Sequence, residues 1–226
     1  MQKDIRKEMP AYNGTLRDHT LNVPECMYEC SGMLIFGRRI KSLVFSTDVA
    51  IIKNINTDAV IAVYPFTPQP SIAQAIISVS DVPVFVGVGG GITSGDRSVR
   101  LAIEAENQGA YGVVVNTPIA PKVISDIKKC VDIPVLATIV SEKQDIDERI
   151  AAGADILNVS AAANTPAVVE AIRRRYPSFP IIATGGPNED TIRATIRAGA
   201  NSITYTPPTN GQLFADLMQK YRGRFS

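Results

Sequence analysis

The chain has 226 residues, 45% of them hydrophobic and 20% charged, which suits one domain with a sizeable core. A formal net charge of +1 excludes a general attraction to nucleic acid or anionic membranes, so any bound anion must be held by local geometry. No apolar run approaches the ~18 residues that span a bilayer, and Met1–Glu8 lacks the apolar core of a secretory signal, so a cytoplasmic protein with reduced thiols at Cys26, Cys30 and Cys130 is expected.

Residues 1–39 show no regular period. Pro10, Gly14, Pro24 and Gly32 interrupt them, which predicts an irregular N-terminal arm with room for one short helix. The arm holds the only histidine, His19. Beside Cys26 and Cys30 it still leaves a metal short of a fourth ligand, so no metal site is expected.

From residue 40 the chain becomes periodic. Continuous apolar runs, as expected of strands covered on both faces, are predicted at Ile40–Ser46, Ala59–Tyr64, Val82–Val88, Gly112–Asn116, Ile133–Thr138, Asp155–Val159, Pro180–Thr184 and Ser202–Tyr205. Helical periodicity separates them, for example at Val99–Gln108, Lys122–Cys130, Pro166–Tyr176 and Glu189–Ala198. Three strands open on a proline (83, 134 and 180) and three follow a Gly-Ala pair (109, 153 and 199), so the pattern recurs every 44 to 51 residues, one double βα unit. Eight strands alternating with helices predict an α/β fold, a single (β/α)8 barrel over 40–226, with 1–39 as the arm. The arm is free in sequence to plug the barrel floor, cover its mouth or reach a neighbouring subunit of a homo-oligomer.

In such barrels the chemistry sits at the C-terminal ends of the strands. Two glycine turns stand there: Gly89, Gly90 and Gly91 after the third strand, and Gly185 and Gly186 followed by Asn188 after the seventh. Glycines let a backbone approach a ligand, and the next helix offers free amides, so both turns are candidate anion cradles. Tyr64, Asn116, Thr138, Asn158, Thr184 and Tyr205 end six of the strands and form a candidate polar pocket. Asp48 and Glu142, just beyond the first and fifth strands, are the candidate acid–base residues, each also readable as a cap or a solvated first-turn charge.

Pro180-Ile181-Ile182-Ala183-Thr184-Gly185-Gly186, then a helix and Ala198-Gly199-Ala200, resembles the phosphate grip of the phosphate-binding TIM-barrel superfamily. That superfamily includes thiamine-phosphate synthase, the histidine-biosynthesis barrels and aldolase-type barrels. Pro83–Ile92 is similar to the third-strand motif of the histidine-pathway members. The resemblance implies a TIM barrel binding a small phosphorylated or carboxylated metabolite at its rim. It departs from the Schiff-base aldolases, since Ile156–Ser160 carries no lysine and Lys41 falls at the barrel floor. The reading is therefore an isomerase or carbon–carbon lyase without a Schiff-base lysine and without a cofactor. A hydrolase, a barrel binding flavin mononucleotide at the Gly185-Gly186 turn, and a non-catalytic metabolite sensor are the alternatives.

Overall fold

The computed structural model describes residues 20–223 together with Pro10, Tyr12 and Gly14. His19 lies outside the described residues.

Eight parallel strands close into a barrel: β3 Ser42–Phe45, β4 Ala59–Ala62, β5 Val84–Gly89, β6 Gly112–Val115, β7 Val135–Ile139, β8 Ile156–Val159, β9 Ile181–Thr184 and β10 Ser202–Tyr205, with β10 pairing β3. A helix follows each: α1 Val49–Lys53, α2 Pro70–Val79, α3 Asp96–Asn107, α4 Pro121–Lys128, α5 Ile146–Ala151, α6 Thr165–Arg175, α7 Glu189–Arg197 and α8 Asn210–Arg222. The (β/α)8 barrel expected from the repeat is the observed fold.

The punctuation works as its chemistry requires. Gly109, Gly153 and Gly199 take φ of +94°, +103° and +109° just past α3, α5 and α7, where a side chain would be strained. Pro83, Pro134 and Pro180 stand one residue before β5, β7 and β9. They have no amide to donate, yet their carbonyls accept from Val60, Val113 and Leu157 at 2.8, 2.9 and 3.0 Å, so each joins the ladder as an acceptor only.

The arm is more ordered than its composition implies. A 3-10 helix spans Glu25–Glu29, and a hairpin pairs β1 Met33–Ile35 with β2 Arg38–Ile40. The hairpin turn is Phe36-Gly37, both at positive φ (45° and 79°), the two-residue geometry that matches strand twist. The expectation of irregular chain thus needs correction here. Strands of three residues are too short to display the alternation by which a strand is recognised. Ile40, expected to open the first barrel strand, ends the hairpin instead.

The hairpin also settles where this part of the arm goes. Met33, Ile35 and Ile40 join Leu43, Ile61, Phe85, Val114, Leu136 and Ile182 in one buried cluster inside the barrel, so the hairpin plugs the floor. Val23, Cys26 and Met27 join a second cluster between the strands and the helices, with the 3-10 helix against α7. Burial pushes the Cys26 and Cys30 thiols above their ordinary pKa, which suits packing and not nucleophilic chemistry. No helix of the described residues is long and apolar enough to cross a membrane.

Candidate functional site

Strand alternation decides which side chains face the barrel axis. Leu43, Ile61, Phe85, Val114, Leu136, Ile156 and Ile182 belong to the inner cluster, while Val44, Val60, Val86, Val113, Ala137, Leu157, Ala183 and Ile203 belong to the outer one. Two residues further toward the mouth, the inner positions are Phe45, Val63, Gly87, Asn116, Thr138, Asn158, Thr184 and Thr204. One side of the mouth is therefore aliphatic, aromatic or bare, and the other, from β6 round to β10, is a polar arc.

Part of that arc is already wired. Asn158 Nδ2 donates to Thr138 Oγ1 at 3.2 Å, and Thr138 Oγ1 donates to Asn116 Oδ1 at 2.8 Å. The pairing of Thr138 with Asn158 and of Thr204 with Thr184 puts these side chains on adjacent strands. Thr204 is 5% exposed, and its buried hydroxyl has no partner. Sequence reading chose its neighbour, Tyr205. That choice is corrected by parity: Tyr205 shares the outer face with Ile203 and packs against the outer cluster. Counting in twos from Ser202 would have found Thr204.

The Tyr64 hydroxyl accepts from the Gln69 amide at 2.7 Å ahead of α2. With Val63, Phe66, Pro68, Gly87, Gly89, Gly90 and Asn116, Tyr64 lines a cavity of about 40 Å³. That is far below the ~300 Å³ of a typical ligand pocket, so this cavity does not by itself enclose a small molecule.

The two glycine turns behave differently from expectation. In the turn after β9, the Gly185 amide donates to the Thr204 carbonyl at 3.0 Å, and Asn188 caps α7 by accepting from Thr191 N at 3.0 Å. Glu189 and Asp190 place two carboxylates in the first turn of α7. Such a turn disfavours an anion or a flavin phosphate. A Cβ at Gly185 would lie 2.7 Å from Ile203 and 2.8 Å from Ile192, so packing explains the glycine. After β5, Gly90 N donates to the Thr93 carbonyl at 2.8 Å, and a Cβ on Gly90 would come within 2.5 Å of the Asn116 carbonyl. Gly89 is closed off by Ser98, and only Gly91 of the three has open space around it.

The two acids also part company. Asp48 Oδ1 caps α1 by accepting from the Ala50 and Ile51 amides at 2.9 and 3.3 Å, and Oδ2 accepts from Asn210 Nδ2 at 2.7 Å. Both oxygens are occupied, so Asp48 as a general base is corrected to a structural cap. Glu142 stands exposed in the turn between β7 and α5, without a hydrogen bond or ion pair among the described residues. No group of three His, Cys, Asp or Glu side chains converges among the described residues.

One residue escaped sequence reading altogether. Arg149, on α5, is 7% exposed and sends Nη2 to Thr117 Oγ1 at 3.4 Å, next to Asn116. A lone arginine in a short amphipathic helix carries no signal that it will be buried.

No family model matches the sequence, and no curated protein matches it. Solved structures do. The fold is similar to that of 2,3-dimethylmalate lyase, a PEP mutase/isocitrate lyase superfamily member, at 12% identity over 80% of this chain and 81% of that one, with a TM-score of 0.62. It is similar to a phosphonopyruvate hydrolase at 14% identity over 84% and 82% of the two chains, TM-score 0.59. A phosphoenolpyruvate phosphomutase from Streptomyces platensis subsp. rosaceus matches at 14% identity over 87% and 83%, TM-score 0.58. At these identities the likeness is one of fold alone, that of the TIM barrel. None of the three is a thiamine-phosphate or histidine-pathway barrel, the members whose motifs the sequence resembles.

Proposed function

We propose that this chain is an enzyme of the lyase or isomerase type that holds a small carboxylated or phosphorylated metabolite across the barrel mouth. The observation that carries the reading is the polar arc from Asn116 to Thr204, which includes a buried hydroxyl left without a partner. Thr138 is saturated by its two neighbours. Asn116 Nδ2 and the hydroxyls of Thr184 and Thr204 remain as donors for a negatively charged oxygen. Fixed neutral donors of this kind stabilise charge that develops on an enolate or carboxylate during reaction. No lysine lies on the inner face, so an imine route has no nucleophile there. Glu142 is the exposed carboxylate at the rim suited to moving the proton. Barrels of the same fold that are named as a lyase and a phosphomutase support the class. The hydrolase reading loses its water-activating base with Asp48.

Melting the protein with a panel of keto acids and sugar phosphates tests this. A ligand at 100 times its dissociation constant adds about 2.7 kcal/mol. The gain should vanish in an Asn116→Ala, Thr184→Val double variant; a gain left intact there rejects the arc as the site. For a ligand that is turned over, Glu142→Gln should slow turnover by about 10²–10⁴-fold and leave the binding gain in place.

Every strand side chain facing the axis is uncharged, which favours a second reading, a metabolite sensor that binds without turnover. A ligand that stabilises the protein but yields no product on prolonged incubation would select it.

A further inference from the structure

We infer that Arg149 is the charged anchor of an anion subsite between the loops that follow β6 and β7, taking a carboxylate or phosphate group of the ligand. The inference rests on the proposed reading of the mouth as an anion site and supplies the cation that the polar arc lacks.

Arg149 is 93% buried by its 7% exposure, and its Nη1 is enclosed without any hydrogen-bond partner. Among the described residues its one side-chain hydrogen bond is the long 3.4 Å bond from Nη2 to Thr117 Oγ1. Among the described residues no carboxylate lies within ion-pair distance of it, although Asp145 and Glu148 on the same stretch of chain contribute a favourable field. Burial pulls its pKa below the ordinary arginine value. A guanidinium nonetheless stays charged in proteins. The chain therefore carries a desolvated cation whose Nη1 hydrogens have no acceptor, an arrangement that costs stability unless a counter-charge arrives.

Other arginines here show what structural use looks like. Arg173 is also partly desolvated, yet it donates to the carbonyls of Tyr176, Pro177, Phe179 and Gly199 and to Asn201 Oδ1. Arg149 has no such set.

Its position fits a ligand. Side chains on a helix lean toward its N-terminus, so the guanidinium of Arg149 rises toward the mouth and meets Thr117, the residue after Asn116. Gln144 closes the space from above: its Oε1 accepts from Val140 N at 2.6 Å, and its Nε2 donates to Thr117 Oγ1 at 2.8 Å. Thr117 Oγ1 thus accepts from both the neutral amide of Gln144 and, at greater length, the guanidinium. A carboxylate or phosphate that displaces Gln144 from Thr117 gains the two-pronged contact that guanidinium offers to planar or tetrahedral oxyanions. The rest of such a ligand would extend over Asn116 and the arc.

Thermal melts of wild type, Arg149→Met, Arg149→Lys and Asn116→Ala in sodium phosphate and sodium oxalate, with sodium chloride at equal ionic strength, test the subsite. Expected are a saturable rise in melting temperature of the wild type with phosphate or oxalate but not chloride, and a Met variant that melts no lower than wild type and has lost that rise. Arg149→Lys should weaken oxyanion binding by about tenfold or more, because a point charge replaces the fork. The inference is overturned if the rise is absent in wild type, or if Arg149→Met keeps it. Should the Met variant fail to fold, the Lys variant decides: an unchanged dissociation constant overturns the subsite. Loss of the rise in Asn116→Ala with retention in Arg149→Met would sink this inference alone and leave the arc standing.

Discussion

The turn after β9 and the sector from β6 to β8 sit at the same height on the barrel mouth, yet they are built on opposite terms. The β9 turn carries the small residues that make a phosphate grip recognisable, but its groups are spent on the protein itself. Gly185 donates to Thr204, Asn188 caps α7, and two carboxylates fill the first turn. The β6–β8 sector carries no motif at all. It holds the hydrogen-bonded row of Asn116, Thr138 and Asn158, and beside it an arginine whose Nη1 has no partner. A glycine shows that space is short; only the surroundings show whether a ligand or an isoleucine is what fills it.

That contrast can be attacked by substitution. The largest effect is expected at Gly90, in the turn after β5, which abuts the β6–β8 sector at Asn116. At φ +116°, with a Cβ landing 2.5 Å from the Asn116 carbonyl, Gly90→Ala should cost about 3 kcal/mol in urea unfolding and displace Asn116, so ligand stabilisation should go as well. Gly185→Ala should cost about 2 kcal/mol, since its Cβ meets only side-chain atoms of Ile203 and Ile192. It should leave ligand stabilisation intact. Loss of ligand response in Gly185→Ala with unfolding unchanged would return the anion site to the β9 turn. Next comes Asp48→Ala, about 1 kcal/mol from the lost cap of α1, while Asp48→Asn, which still caps, should cost less. A large loss of turnover in a stable Asp48→Asn variant would restore its role as a base. The smallest change belongs to Thr204→Val. Removing an unpartnered buried hydroxyl should leave stability within about 0.5 kcal/mol of wild type or raise it, while ligand stabilisation falls.

The barrel was legible in residue order because its signals are local. A proline opening a strand, a glycine ending a helix, and an apolar run between them each act through neighbours a few residues away, and together they marked the eight barrel strands, though not the two of the hairpin. Asn116, Thr138, Asn158, Thr184 and Tyr205 stood out in sequence only as strand ends; period-two alternation, which decides which side of a strand faces inward, puts the first four on the inner face and Tyr205 on the outer one.

What the linear chain withheld depends on distant partners. The Asp48 carboxylate became a cap and a bridge because α8 brings Asn210 to it across 162 positions of sequence. The hairpin at Met33–Ile40 found its place because a barrel floor was there to receive Met33 and Ile35. Arg149 lost its water because α5 packs it beside Thr117. Local backbone preference writes the succession of strands and helices into the chain. The fate of each polar group, satisfied or left open for a ligand, is decided only by what closure of the barrel sets beside it.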